Sequence, residues 1–290
     1  MLTVFDIYNR LKSSLIAIYS DKAEYSAVLH RVFEYLTDLP LTDVTVHPEK
    51  EVDTTFETID NILSRIKQSE PLEYIFNRAY FLDLQLYTES SVLIPRPETE
   101  ELAVLVSDYL KQRESGLKIL DIGTGSGCIP IYLALQHTDN KFFACDISEQ
   151  ALFTAKKNAQ KYAVGNLDIF YADILNYHQN DILNNFEFDV IISNPPYVTD
   201  SEKLLMSHNV IDYEPHTALF VPDNDPLLFY NTISEFAVSH LTFGGKIYFE
   251  INERFGSETI QMLEKYGFTN VSVIKDLFGK DRMAMGEWRN

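Results

Sequence analysis

The stretch Lys118-Ile119-Leu120-Asp121-Ile122-Gly123-Thr124-Gly125-Ser126-Gly127 changes character halfway along. Its first half is a short apolar run of strand type, and its second half carries glycine at every other position. Glycine adopts backbone angles closed to other residues and leaves no side chain between the backbone and a ligand. The pattern predicts a buried strand, a tight loop and then a helix running through Leu135. Dinucleotide sites use Gly-x-Gly-x-x-Gly, with a phosphate group at the helix N-terminus. Here the spacing is the tighter Gly-x-Gly-x-Gly, led in by Asp121. No Gly-Lys-Ser/Thr follows, which excludes a P-loop. Ser126 has Thr124 and Cys128 where a nucleophile elbow needs glycines.

Outward from this loop, strand and helix patterns alternate. Phe142 to Asp146 reads as the next strand, with Ser148 capping a helix behind it. Leu167 to Tyr171, Phe188 to Ser193 and Lys246 to Ile251 complete the set. Alternation of this kind predicts an α/β doubly wound sheet, whose ligands lie outside the carboxyl ends of the strands. Asp146 stands at such an end, placed to accept hydrogen bonds from both ribose hydroxyls of an adenosine group. That feature suits NAD and S-adenosylmethionine equally. Asp173, after the third strand, is placed either to meet an adenine amino group or to lie on the surface. The Gly-x-Gly-x-Gly spacing resembles the cofactor loop of S-adenosylmethionine-dependent methyltransferases.

Composition narrows the partners. The 290 residues carry a formal net charge of -19 and are 46% hydrophobic, as in a soluble protein with a substantial core. Nucleic acid is a polyanion, and no dense Lys/Arg cluster is present to meet it, so nucleic acid is an unfavoured partner. Cys128 and Cys145 lie in apolar segments and read as core residues rather than a disulfide framework. No apolar run approaches the ~18 residues of a membrane span, and the N-terminus lacks a signal pattern. A cytoplasmic protein without membrane or metal partners is expected.

Residues 1–75 show three apolar stripes at helical spacing. They are Val4 to Tyr19, Tyr25 to Leu36 (stopped by Pro40) and Phe56 to Ile66. They predict a small helical bundle domain. Residues 76–94 predict a linking β-hairpin, with Tyr80 to Leu86 as one arm and Ser91 to Ile94 as the other. Residues 95–290 hold the sheet domain.

The remaining motif is Asn194-Pro195-Pro196-Tyr197, directly after the strand Phe188 to Ser193. Prolines lack a backbone N–H and cannot continue a ladder, so something rigid is built at this strand end. A planar amino group is a poor nucleophile toward a sulfonium methyl, because its lone pair is delocalised. Fixed acceptors for both of its N–H donors can orient it, and the Asn194 side-chain oxygen with the Pro195 carbonyl are suited to that task. Such acceptors bind more tightly as positive charge develops on the nitrogen. Tyr197 can lie against the planar group.

This clamp resembles those of DNA adenine N6, RNA guanine N2 and protein glutamine N5 methyltransferases. The stretch Leu93-Ile94-Pro95-Arg96-Pro97-Glu98-Thr99-Glu100 resembles the signature of peptide chain release factor glutamine methyltransferases, the PrmC/HemK family. Pro71 to Ile75, Glu214-Pro215 with Ala218-Leu219, and Asp276-Leu277 with Gly279 and Arg282 also fit that family. The resemblance implies a class I Rossmann-like methyltransferase sheet behind a helical substrate-recognition domain. It implies S-adenosylmethionine at Gly123, Thr124, Gly125, Ser126, Gly127, Asp146, Asp173, Ile174 and Asn194, leaving as S-adenosylhomocysteine. The substrate clamp falls on Asn194, Pro195, Pro196 and Tyr197, with Arg96 and Glu98 beside it. The implied partners are release factors, methylated on the glutamine of their Gly-Gly-Gln loop. A nucleic-acid amino methyltransferase is the alternative, disfavoured by the charge of -19 and by the Arg96-Pro97 signature. A non-catalytic adenosyl-binding protein would have no use for an intact clamp. The chain departs from the family pattern at Asn77, Val221-Pro222-Asp223, Asn252 and Phe255.

Overall fold

In the computed structural model, which describes residues 1–289, the three N-terminal stripes are helices α1 (Val4–Ile18), α2 (Lys22–Thr37) and α3 (Phe56–Lys67). Each begins on a side-chain cap, from Thr3, Asp21 and Thr55 respectively. Such caps satisfy backbone N–H groups that have no partner inside the helix. The stripes meet in one core that includes Val4, Ile7, Leu11, Val32, Phe33 and Ile59. The helix α2 ends ahead of Pro40, at Asp38 in a left-handed conformation (φ 52°). A short antiparallel pair, Leu2–Thr3 with Glu51–Val52, was not expected, since two residues are too few to show alternation. This compact unit spans Met1–Arg78 and takes in a later excursion, His208–Tyr213. The Tyr213 hydroxyl donates to the Gln68 carbonyl at 2.8 Å.

The second unit contains Ala79–Ser207 and the chain from Glu214 onward. The hairpin lies wholly within the first apolar run, Ala79–Phe81 pairing antiparallel with Leu84–Leu86. The expectation that Ser91 to Ile94 forms its second arm is corrected. Leu82 turns the chain with φ 51°, and its N–H donates to Glu100 at 2.8 Å. An apolar residue in a left-handed turn carries no sequence signal. The Ile94 N–H instead reaches the Glu214 carboxylate, and Pro95 cannot continue a strand.

Seven strands form the central sheet. They are β1 (Lys118–Ile122), β2 (Lys141–Asp146), β3 (Leu167–Tyr171), β4 (Phe188–Ser193), β5 (Leu241–Glu250), β6 (Thr269–Lys275) and β7 (Asp281–Glu287). Their order is β6-β7-β5-β4-β1-β2-β3. The pairs from β5 to β3 are parallel, and β7 runs antiparallel to both β5 and β6. Alternating side chains serve two cores: Ile119, Val190 and Ile192 on one face, Leu120 and Ile191 on the other. Helices α4 (Pro97–Leu110), α5 (Cys128–Gln136) and α6 (Glu149–Lys161) pack with the first face. Helices α7 (Leu228–His240) and α8 (Gly256–Lys265) pack with the second. This is the doubly wound, Rossmann-like sheet that the sequence predicts.

Register places the site. Ile122 pairs with Cys145 on one side and with Ser193 on the other, and Ser193 pairs with Phe249. The residues that follow each of these, Gly123, Asp146, Asn194 and Glu250, therefore emerge along one edge of the sheet. The strand order reverses between β1 and β4, which opens a crevice at that edge.

Candidate active site

A cavity of about 380 Å³ occupies that crevice. Its walls include Gly123 to Ser126, Asp146, Asp173, Ile174 and Asn194 to Pro196, with Thr99 from the first turn of α4. The loop after β1 is held by its neighbour. The N–H groups of Gly123 and Thr124 both donate to the Cys145 carbonyl, at 2.9 and 3.0 Å. Gly127 has φ 80°, and a Cβ there would sit 2.9 Å from Ile131 Cδ1 and 3.1 Å from Ala155 Cβ. Only glycine lets this loop pass between α5 and α6.

Asp146 is more than a ligand candidate. One carboxylate oxygen accepts from Gly125 N–H and the other from Ser148 N–H, each at 2.9 Å. The carboxylate thus ties the glycine loop to the start of α6, while burial pushes its pKa up against those two hydrogen bonds. Asp173 is similarly engaged: its oxygens accept from Leu175 N–H at 2.9 Å and from Asn176 Nδ2 at 2.6 Å. Ile174 is buried against the cavity. Asp121, read in the sequence only as a lead-in, is 1% exposed, and neither of its oxygens has a hydrogen-bond partner among the described residues. Burial raises it to about 7. The Thr124 hydroxyl near it is buried and unpartnered too, close enough to lower that pKa somewhat but without a hydrogen bond of its own. Cys128 belongs to the core and is pushed up to about 12 by burial.

At the end of β4, Asn194 Nδ2 donates to the Thr99 hydroxyl at 3.1 Å. That hydroxyl donates to Glu250 Oε2 at 2.7 Å, and the Tyr197 hydroxyl donates to Glu250 Oε1 at 2.9 Å. Glu250 is 1% exposed, and burial raises its pKa against those two hydrogen bonds and the charge of Arg282. Behind it, the Tyr230 hydroxyl donates to the Glu250 carbonyl at 3.0 Å. Sequence reading did not single out Thr99 or Glu250 as site residues, and no local pattern joins positions so far apart along the chain.

Four sequence candidates, Gly127, Tyr197, Arg96 and Glu98, stand off the cavity wall, and Gly127 instead packs against Ile131 and Ala155. Tyr197 packs against the core, its hydroxyl committed to Glu250. Arg96 is ion-paired with the buried Glu214, and Glu98 lies near Tyr197, Glu250 and Arg282 without lining the cavity. Among the described residues no group of His, Cys, Asp and Glu is arranged to hold a metal ion, and no helix is long and apolar enough to cross a membrane.

Residues 102–216 match the family described as the Methyltransferase small domain. The chain is 42% identical over 279 residues to the release factor glutamine methyltransferase of Flavobacterium psychrophilum, covering 95% of this chain and 96% of that one. The chain belongs to the release factor glutamine methyltransferases. The corresponding enzyme of Bacteroides thetaiotaomicron is 44% identical over 229 residues, 78% of each chain. A solved ribosomal protein L11 methylase from Lactobacillus delbrueckii subsp. bulgaricus superposes with a TM-score of 0.50 at 17% identity, covering 71% of this chain and 84% of that one. That likeness shows the fold alone.

Of the positions read in the sequence as departures, Asn77, Asp223 and Asn252 in this methyltransferase have local physical accounts. Asn77 adopts φ 50°, a conformation that glycine takes freely and asparagine tolerates. The Asp223 carboxylate accepts from Ser201 N–H at 2.9 Å. Asn252 caps the turn at Arg254 and donates to the Tyr197 carbonyl at 3.2 Å, bracing the end of the proline motif. Phe255 directly precedes α8.

Proposed function

We propose that the chain methylates the side-chain amide nitrogen of the glutamine in the Gly-Gly-Gln loop of peptide chain release factors, using S-adenosylmethionine. Family membership supports the reaction class, and one observation supports the mechanism. Asn194 spends its Nδ2 on Thr99, which leaves Oδ1 without a hydrogen-bond partner among the described residues, on a residue that lines the cavity. The adjacent Pro195 carbonyl accepts no hydrogen bond from any described residue. A primary amide has two N–H donors, and these two oxygens can hold both.

The cavity fits the cofactor by the chemistry of its donor set. The glycine loop allows close backbone approach, Asp146 retains lone pairs for ribose hydroxyls, and Ile174 offers an apolar surface to adenine. The unpartnered Thr124 hydroxyl lies on the cavity wall, where a ligand's polar groups can pair with it. When bound, the sulfonium supplies an electrophilic methyl group and leaves as the neutral thioether of S-adenosylhomocysteine. Asn194 Oδ1 and the Pro195 carbonyl fix the amide plane so that the nitrogen lone pair faces the methyl carbon. As the N–C bond forms, positive charge gathers on the nitrogen and both acceptors bind its N–H groups more strongly. The extra proton then leaves to solvent from a nitrogen that is now acidic, so no base is needed ahead of transfer. Pro195 and Pro196 hold the acceptors rigid, and Tyr197 anchors the motif through Glu250.

Residues 1–75 are assigned to recognition of the protein substrate, 76–94 to the linker and 95–290 to methyl transfer, in the cytoplasm where release factors act. The test is mass spectrometry of a bacterial release factor after incubation with labelled S-adenosylmethionine. Label on the Gly-Gly-Gln glutamine is expected. Label on nucleic acid only would overturn the assignment.

A further inference from the structure

We propose that Glu250, acting through the Thr99 hydroxyl, is a positioning residue that fixes which end of the Asn194 amide faces the substrate. The proposal rests on the clamp described above and explains why it has one polarity. The oxygen and nitrogen ends of an asparagine amide are nearly equal in size, so hydrogen bonding alone decides the rotamer. Asn194 turned the other way would offer N–H groups to substrate N–H groups.

The relay removes that choice. An ionised carboxylate only accepts hydrogen bonds, and a hydroxyl has one proton to give. The Thr99 hydroxyl donates its one hydrogen bond to Glu250 Oε2 at 2.7 Å. Its oxygen then shows only lone pairs to Asn194, 3.1 Å away, and that position is filled by Nδ2. Tyr197 donates to the second carboxylate oxygen, and Tyr230 holds the Glu250 backbone. Both ends of the proline motif are thus referred to one buried carboxylate, Asn194 through Thr99 and Tyr197 directly.

The relay reverses if position 250 can donate. In Glu250→Gln the side-chain NH2 can give a proton to Thr99, which then donates to Asn194 Oδ1 and leaves the Asn194 NH2 facing the cavity. The experiment compares Glu250→Gln, Thr99→Val, Thr99→Ser and the double variant Glu250→Gln/Thr99→Val in the full chain. Single-turnover methylation of a release factor is measured at saturating S-adenosylmethionine, beside cofactor affinity by calorimetry. Glu250→Gln is expected to slow methylation by on the order of 10²-fold, the effect typical of one lost preorganised partner, with cofactor affinity unchanged. Thr99→Ser keeps the hydroxyl and the rate, whereas Thr99→Val does not. The double variant is at least as fast as Glu250→Gln alone, because cutting the relay frees Asn194 from the wrong orientation. In ¹⁵N-labelled protein the Asn194 side-chain NH2 signal, assigned by its loss in Asn194→Ala, moves in Glu250→Gln.

Wild-type turnover by Glu250→Gln, or a double variant slower than Glu250→Gln, overturns the proposal. If Glu250→Gln fails to bind cofactor, the Thr99→Val and Thr99→Ser pair decides: equal rates overturn the relay, and a slow Val variant with a fast Ser variant supports it. Asn194→Ala separates the two readings. Wild-type turnover there defeats the clamp itself, whereas slow Asn194→Ala with fast Glu250→Gln defeats only the relay.

Discussion

The Asn194 amide and the Glu250 carboxylate are joined through a single hydroxyl, that of Thr99, by hydrogen bonds of 3.1 and 2.7 Å. Asn194 follows β4, Glu250 ends the neighbouring β5, and Thr99 sits in the first turn of α4. The residue that faces the substrate is therefore oriented by two elements besides its own. Preorganised acceptors of this kind need no rearrangement as charge develops, which is where their catalytic value lies.

Asp146 predicts a combined defect. Because its carboxylate holds Gly125 and Ser148 N–H groups, Asp146→Ala should loosen the glycine loop as well as remove the ribose acceptors. Calorimetry with S-adenosylmethionine should show a loss of roughly 1–3 kcal/mol in binding. Unaltered affinity would remove Asp146 from the cofactor site.

Asp121 predicts a pH dependence of stability. Its folded pKa of about 7 lies above the ordinary value, so the folded chain holds a proton that the unfolded chain has released. That contribution is fully present below about pH 4 and is lost as pH rises through about 7. Asp121→Asn should raise the Tm of ligand-free protein at pH 8 and change it little at pH 4. An equal shift at both values would contradict the cause given.

The sheet was legible in the sequence where apolar runs end in glycine, carboxylate or proline; Gly123 to Ser126 and Asn194 to Pro196 line the cavity at those strand ends, whereas Gly127 and Tyr197 stand off it. The hairpin was not, because its turn at Leu82 uses an apolar residue held by Glu100 rather than Gly or Asn. Strands β6 and β7, which pair antiparallel with each other across residues 276–280, were not read from the sequence, because polar residues interrupt their apolar runs. The Thr99–Glu250 bond joins positions 151 residues apart, and the roles of both residues appear only when register brings β4 and β5 together.

Arg96 predicts a structural loss. Its ion pair with the buried Glu214 ties the start of α4 to the segment that resumes at Glu214, and Ile94 N–H shares the same carboxylate. Arg96→Ala removes that ion pair and should cost about 2–3 kcal/mol of stability in urea unfolding, below the range for a fully buried pair because Arg96 is partly exposed. Arg96→Ala/Glu214→Gln should recover part of it. A double variant less stable than Arg96→Ala would contradict the pairing.

The hairpin moves the boundary for a truncation test. Phe81, Leu84 and Leu86 belong to the sheet unit's core, so a fragment must begin at Ala79 to keep it. Such a fragment should bind S-adenosylmethionine and fail to methylate a whole release factor. Undiminished turnover would show that residues 1–75 have no part in substrate recognition.

Asn194 bears the central claim. Single-turnover methylation of a release factor by Asn194→Ala at saturating cofactor should be slower than wild type by ~10²–10³-fold, about 2.7–4 kcal/mol, because one acceptor is missing where positive charge develops. Cofactor affinity should fall far less. An Asn194→Ala enzyme as fast as wild type in that measurement would contradict the clamp.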